Sequence, residues 1–299
     1  DTVFFGGGTP TRLDPALLAK IVRAIPVSKN AEITIECNPD DVTVEMMTTF
    51  AESGVNRISM GVQSMVDHVL ASLGRTHDPA NVVVAVAAAR TAGISSINLD
   101  LIYGVHGESV DDWRSTVEQT IALQPTHISA YGLTIEAGTP LADDPSRHPD
   151  DDDQADKYIL VDDLLSAAGM HNYEISNWAL PGHECRHNKV YWLQGNYTGF
   201  GCAAHSHLDG RRWWNMRTPE RYIEAVQKGE SVEAADEVLD TATRAREALE
   251  LSLRTSHGVP RAALDAAFLG DLVQEVGERI VLTRKGRLLA NEVSLRLSP

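Results

Sequence analysis

Five short runs rich in apolar and β-branched residues recur along the first half of the chain. They are TVFFGG near residue 2, AEITIEC near 31, RISMGV near 57, SINLDLIYG near 96 and HISAYGL near 127. Their spacing, roughly 30 residues, is close to the length of one strand–helix–strand unit. The stretches between them carry helical patterns with recognisable ends. DPALLAKIVRAI has Asp14 as N-cap and Pro15 at the first helical position; TVEMMTTFAESG stops on Gly54 and PANVVVAVAAARTAG on Gly93. SVDDWRSTVEQTIAL fills the next gap. Strand alternating with helix predicts an α/β fold with a parallel sheet, open or closed into a barrel.

Each run is apolar until its C-terminal end, where polar residues or glycines follow. These are Gly6-Gly7-Gly8-Thr9, then Glu36 and Asn38, Gln63, Asn98 and Asp100, and Tyr131 and Thr134. A lone polar residue in such a place is usually a cap or a turn former. Five strands doing the same predicts a convergent site, because parallel α/β folds bind ligands at the carboxyl ends of their strands. Consecutive glycines after the first strand let backbone N–H groups approach a ligand, although no Gly-Lys-Ser/Thr follows to make a P-loop. LGRTH adds Arg75 near the same rim.

Composition narrows the partners. The 299 residues are 43% hydrophobic and 23% charged, ordinary for a globular protein, and no apolar run reaches the length of a membrane span. Three cysteines in a chain of this length make no disulfide framework, so a reducing cytoplasm is the expected compartment. The net charge of −16 argues against nucleic acid as a partner. Residues 136–163, including DDDD at 150–153, concentrate acids that read as a solvated loop feeding a helix N-terminus. Residues 183–221 are basic instead, and coincide with a cluster of aromatics.

FFGGGTPTRL, EITIECNP, GVNRISMGVQS, LGRTH, NLDLIYGVHGES, HISAYGLTIEAGTP and NYEISNWALPGHECRHNKVYW occur in that order. Together they resemble the radical S-adenosylmethionine family, in the branch similar to oxygen-independent coproporphyrinogen III oxidase whose HNxxYW-bearing members are haem chaperones. The resemblance runs to GRLLANEVSLRL at 286–297. It implies a partial (β/α)6 barrel and S-adenosylmethionine lined by Gly7, Gly8, Thr9, Glu36, Gln63, Arg75, Asp100 and Thr134. It also implies haem binding, with transfer to a haem-accepting protein for which respiratory, membrane-associated proteins are one option. Oxidative decarboxylation of coproporphyrinogen III is the alternative activity.

One departure is severe. The family holds a [4Fe–4S] cluster in a CxxxCxxC loop N-terminal to GGGTP, and this sequence has no such motif: Cys37, Cys185 and Cys202 are wrongly spaced. The barrel is therefore expected without its first strand and cluster loop. A cluster is expected only where that N-terminal motif is present, and a missing segment is favoured over abandoned radical chemistry.

Residues 178–222 admit three readings: a packed lid, a zinc site, or a porphyrin wall. Zinc could draw on His183, Cys185, His187, Cys202, His205 and His207, although the spacing fits no common finger. A porphyrin needs an imidazole on iron, apolar walls and cations for its propionates, which Arg186, Lys189, Arg211, Arg212 and Arg217 offer. Within CRHNKVYW, His187 is the candidate axial ligand and Cys185 its competitor, with His205 or His207 for the opposite face. Asn188 would brace the loop, and Tyr191 and Trp192 could share one face against the porphyrin edge.

The chain end reads as a helix over TRAREALELSLR, then helix, short helix, the strand ERIVLT, a turn at Lys285-Gly286 and a last helix. That order resembles a small α-rich, winged-helix-like unit. The expected organisation is a barrel over 1–177, an aromatic- and His-rich haem-binding connector over 178–235, and a C-terminal domain over 236–299.

Overall fold

The five runs form β1 (Thr2–Phe5), β2 (Glu32–Cys37), β3 (Arg57–Gln63), β4 (Ser96–Tyr103) and β5 (His127–Gly132) in the computed structural model, which describes residues 1–266 and 269–298. Each is parallel to the next. Two further strands, β6 (His171–Glu174) and β7 (Asn177–Ala179), complete a seven-stranded sheet of order β1-β2-β3-β4-β5-β7-β6. Both pairings of β7 are antiparallel. The reversal follows from loop length, since Ile175 and Ser176 alone join β6 to β7 and a parallel crossover needs a dozen residues or more.

The helices between the strands are α1 (Pro15–Ala24), α2 (Val44–Ser53), α3 (Asp67–Ser72), α4 (Pro79–Thr91), α5 (Val110–Ala122) and α6 (Asp151–Ala167). Their ends obey local chemistry. Asp14 accepts from the Ala16 and Leu17 amides at 2.8 and 3.1 Å, and Ser109 with Asp112 forms a reciprocal capping box. Gly54 closes α2 at φ 108°, a left-handed conformation that favours glycine. The acidic run starts α6: Asp150 caps it, and Asp151, Asp152 and Asp153 occupy its first turn, where carboxylates complement the helix dipole.

Period-two alternation gives the sheet two different faces. Ile33 and Ile35 of β2, Ile58, Met60 and Val62 of β3, and Ile97, Leu99 and Leu101 of β4 are buried and supply the core. Their neighbours point the other way and are largely polar: Thr34 and Glu36, Arg57 and Ser59, Asn98 and Asp100, His127 and Ser129. This polar side is the lumen of the partial barrel.

The connection after β4 is tied to α6 by a buried charge. Lys157 and Glu108 have fully buried side chains, with Nζ 3.1 Å from Glu108 Oε2, 2.7 Å from Asp153 Oδ2 and 2.8 Å from the Glu108 carbonyl. Glu108 also accepts from the Gly104 amide at 2.9 Å.

The second compact unit, 188–299, begins within α7 (Arg186–Trp192). It contains β8 (His205–Leu208), β9 (Arg211–Asn215) and β10 (Glu233–Val238) in one antiparallel sheet, with α8 (Pro219–Lys228) between β9 and β10. After α9 (Thr241–Leu253) comes a second small sheet of β11 (Val259–Pro260), β12 (Val273–Val276) and β13 (Arg279–Leu282), in the order β11-β13-β12. The helices α10 (Arg284–Leu288) and α11 (Ala290–Ser294) end it. Two expectations fail here. Residues 273–276 are strand rather than helix, because Gly277 at φ 61° makes a two-residue hairpin turn with Glu278. Gly286 is no turn: it lies inside α10, so close to Leu272 that a Cβ would stand 1.8 Å from its carbonyl oxygen. The expected helix after Gly258 includes Ala267 and Phe268, which lie outside the described residues. Among the described residues no helix is long and apolar enough to cross a membrane.

Breaking a buried ion pair strands the remaining charge. Lys157→Met is expected to lower unfolding stability by about 3–5 kcal/mol in urea denaturation, with partial recovery in Lys157→Met/Glu108→Gln. Equal stability of Lys157→Met and wild type would remove the pair from the framework.

Candidate functional site

A cleft of about 370 Å³ opens at the carboxyl ends of β2 to β5. The loop after β1 contributes Gly8 and Thr9, β2 contributes Glu36 and Cys37, followed by Asn38, and β3 contributes Ser59, Gly61 and Gln63. Arg75 and His77 enter from the segment after α3, Asp100 and Ile102 from β4, and Tyr131 from β5. Six of the eight residues expected to line a cofactor thus meet in one cavity. Gly7 stands at its edge, where its amide donates to Glu36 Oε2 at 3.3 Å. Thr134 does not line the cavity; its hydroxyl turns back to the Gly132 carbonyl at 3.3 Å. Its chain has left β5 two residues earlier, so strand alternation no longer aims the side chain.

Backbone geometry shapes this rim. Gly7 and Gly8 have φ of 82° and 130°, open to glycine and strained for other residues. Gln63 holds φ 64° where the β3–β4 register shifts, an unfavourable conformation that aims a carboxamide into the cleft.

Burial raises both carboxylates of the cleft above their ordinary values. Burial pushes the Glu36 carboxyl above its ordinary value, and the charge of Asp100 pushes it further, while the Gly7 amide pulls it down. Burial likewise raises Asp100, opposed by hydrogen bonds from Asn98 and Ser59 and by the charge of Arg57. Asn98 Nδ2 donates to Asp100 Oδ1 at 2.8 Å and Ser59 Oγ to Oδ2 at 2.9 Å. Tyr131, partly exposed at the rim, has its phenol pushed up to about 12 by the protein around it and by the charge of Asp100. Ser59, Gly61, His77 and Ile102 were not singled out in the sequence. Ser59, Gly61 and Ile102 were readable only by carrying the polar-face alternation back from the strand ends.

CRHNKVYW is anchored at the opposite end of the strands. Glu32, first residue of β2, accepts from the amides of Arg186 and His187 at 3.0 and 2.9 Å, and its Oε1 lies 3.6 Å from the Cys185 thiol. The half-buried His187 ring is 2.9 Å from Thr2 Oγ1 through Nδ1 and stacks on Phe4 with centroids 5.3 Å apart. Burial lowers its pKa, Arg57 lowers it further and Glu32 opposes, so the ring is neutral at physiological pH.

The Radical SAM superfamily profile matches residues 1–120. The haem chaperone HemW of Mycobacterium tuberculosis is 40% identical, over 98% of this chain and 79% of its own length. HemW of Escherichia coli is 36% identical, over 98% of this chain and 82% of its own length. The chain belongs to the HemW haem-chaperone family. Escherichia coli HemN, a coproporphyrinogen III oxidase and radical SAM enzyme, superposes with a TM-score of 0.83 over 98% of this chain and 76% of its own. At 21% identity that likeness establishes the partial-barrel fold.

Several histidines and arginines set beside the family's HNxxYW motif turn out to have structural employment. His207 bonds the Gly195 carbonyl through Nδ1 at 2.8 Å and accepts the Gly210 amide at Nε2 at 3.0 Å, so neither nitrogen is left for iron or zinc. His205 is exposed and stacks on Trp214. Arg211 pairs with Glu233 and Asp236, and Arg212 with Glu237 and Glu247. Arg186 donates to the Asn30 carbonyl at 2.7 Å. Arg217 lies with Arg221 and Trp214 on a separate cavity of about 360 Å³ in the second unit. Tyr191 is exposed and packs edge-on against Tyr197, while the half-buried Trp192 keeps its indole nitrogen buried without a partner.

The HemW-family chain has no gathered cysteines. Cys37 is buried with its thiol toward the Ile35 carbonyl, Cys185 is buried beside Glu32, and Cys202 is exposed. Among the described residues no three His, Cys, Asp or Glu side chains cluster as a metal site. These residues do not fit a [4Fe–4S] cluster.

A carboxyl whose pKa is raised by folding costs stability once pH climbs past its unfolded value. Glu36→Gln is therefore expected to raise the thermal midpoint at pH 7, with the gain fading toward about pH 4, where the wild-type carboxyl is protonated in both states. A pH-independent difference would show that Glu36 is not a strained carboxylate.

Proposed function

We propose that this chain is a haem chaperone that holds haem through His187, binds S-adenosylmethionine in the strand-end cleft and passes haem to an acceptor protein. The observation that carries the reading is His187 itself. The family motif places an imidazole there, and the fold keeps that ring neutral, half-buried and oriented by Thr2 and Phe4. Iron takes a neutral imidazole, and a hydrogen bond at the other ring nitrogen fixes its orientation. Cys185 is the weaker candidate, because a buried thiol donating to the Glu32 carboxylate must lose that proton before it can bind metal.

The cleft suits S-adenosylmethionine by its donor set. Glu36 and Asp100 accept from an ammonium and from ribose hydroxyls, the Gly7–Thr9 backbone meets the amino-acid end, and Gln63 and Arg75 complete the rim. When bound, the cofactor supplies a sulfonium that is cleaved only by an electron donor. The coproporphyrinogen III oxidase reading stands lower, since relatives of at least 33% identity over most of the chain are haem chaperones and HemN shares the fold at 21%. The acceptor is proposed to be a haem protein, with the cytoplasm as the site of transfer.

Haemin titration of wild type, His187→Ala and Cys185→Ala, followed at the Soret band, tests the assignment. His187→Ala should shift the band and weaken binding about tenfold or more, with Cys185→Ala near wild type. The reverse order transfers the iron to the thiolate, and no effect of either reduces the stretch to a lid. In the cleft, Asp100→Ala should weaken S-adenosylmethionine binding about tenfold in calorimetry, the loss of a charge-assisted hydrogen bond worth about 1.5–3 kcal/mol. Unchanged affinity removes Asp100 from the cofactor site.

A further inference from the structure

Arg57, the first residue of β3, is 3% exposed, yet among the described residues its guanidinium forms no hydrogen bond or ion pair, and Nε is buried without a partner. Thr34 on β2 is its direct register neighbour, is fully buried, and its hydroxyl is equally unpartnered. Two adjacent strands thus hold two unsatisfied polar groups side by side. Burying a charge without a partner is among the costliest arrangements a fold can carry.

Alternation fixes where they point. Thr34 shares its face with Glu36, and Arg57 with Ser59 and Gly61; Glu36, Ser59 and Gly61 all line the strand-end cleft. Thr34 and Arg57 lie two residues deeper on the same luminal side, about 7 Å toward the amino ends of the strands. Strand alternation therefore sets them beneath the residues that line the cleft.

The chain's own carboxylates nearby are engaged elsewhere. Asp100 accepts from Asn98 and Ser59, Glu36 accepts from the Gly7 amide, and Glu32 accepts from the amides that open α7. Arg57 is felt by Asp100, His127 and His187 only as a charge at longer range. Among the described residues nothing pairs with the guanidinium, which leaves it available to a bound anion.

We propose that Arg57 and Thr34 form a carboxylate-binding subsite on the luminal floor, the guanidinium fork taking the two carboxylate oxygens and the Thr34 hydroxyl donating to one of them. A planar monoanion suits the fork, whereas a phosphate dianion would meet Glu32, Glu36 and Asp100 in the same lumen. On the reading given above, two ligands bring a carboxylate: haem through its propionates and S-adenosylmethionine through its amino-acid end. The neighbouring row favours the propionate, because Thr34 is the register partner of Phe4, which carries the stacked His187 ring.

Three titrations of the full chain test this, with Arg57→Gln, Arg57→Lys and Thr34→Val beside wild type. Sodium propionate, against sodium chloride at equal ionic strength, should raise the thermal midpoint of wild type and leave that of Arg57→Gln unmoved. Haemin should bind wild type about tenfold or more tightly than haemin dimethyl ester, with the ratio falling toward unity in Arg57→Gln and partway in Arg57→Lys and Thr34→Val. The isosteric Thr34→Val and the wild-type acid-to-ester ratio keep the test decisive if Arg57→Gln fails to fold. S-adenosylmethionine and its methyl ester form the third pair. A ratio that collapses in Arg57→Gln for this pair, but not for haemin, overturns the propionate assignment in favour of the cofactor. Propionate stabilisation without any haemin binding would defeat the haem reading and leave the subsite standing. No propionate effect together with unchanged ratios in every variant overturns the subsite.

Discussion

The amide of Asn98 holds the lumen together. Its Nδ2 donates to Ser59 on β3 at 2.7 Å and to Asp100 on β4 at 2.8 Å, while its Oδ1 accepts from His127 and Ser129 on β5 at 2.5 and 3.2 Å. Because Oδ1 can only accept, His127 must carry its proton on Nδ1, and its Nε2 then accepts from the Tyr173 hydroxyl at 2.9 Å. Burial keeps that imidazole neutral, far below its ordinary pKa. Every proton in the network therefore points one way, toward the carboxylate of Asp100, and three strands are cross-linked on the side where the sheet has no apolar core.

That arrangement explains how a parallel sheet can turn a polar face inward. The helix-covered side supplies the apolar burial that stabilises the fold. The luminal side works against stability, with raised carboxyl pKa values at Glu36 and Asp100, a left-handed Gln63 and an Arg57 that has no hydrogen-bond partner among the described residues. These liabilities share one cleft and its floor, where a bound ligand has the chemistry to relieve them.

The CRHNKVYW segment belongs to the same economy of partners. The Glu32 carboxylate accepts from two amides at the start of α7 and lies beside the Cys185 thiol, so the amino end of β2 grips the segment and His187 stacks on Phe4 of β1. Further along, His207, Arg211 and Arg212 serve the small sheet of the second unit through backbone bonds and ion pairs. Residues of one chemical type, close in sequence, thus divide into those that hold a fold and those turned toward the lumen.

Local chemistry determined much of this in the sequence alone. Strand length, helix caps at Asp14 and Ser109, the Gly54 stop and the acidic first turn of α6 each depend on residues within a few positions of one another, so they are legible without the fold. The polar strand ends announced the cleft for the same reason. Tertiary structure alone decided what depends on distant partners. It set β7 against β5, made Gly286 a contact for Leu272, and drew Arg211 and Arg212 to Glu233 and Glu247. It turned Thr134 out of the cleft and left Arg57 beside Thr34 with no hydrogen-bond partner among the described residues. A hydrogen bond or an ion pair needs its partner within about 3–4 Å, and sequence spacing does not encode that distance once the chain has left its own helix or strand.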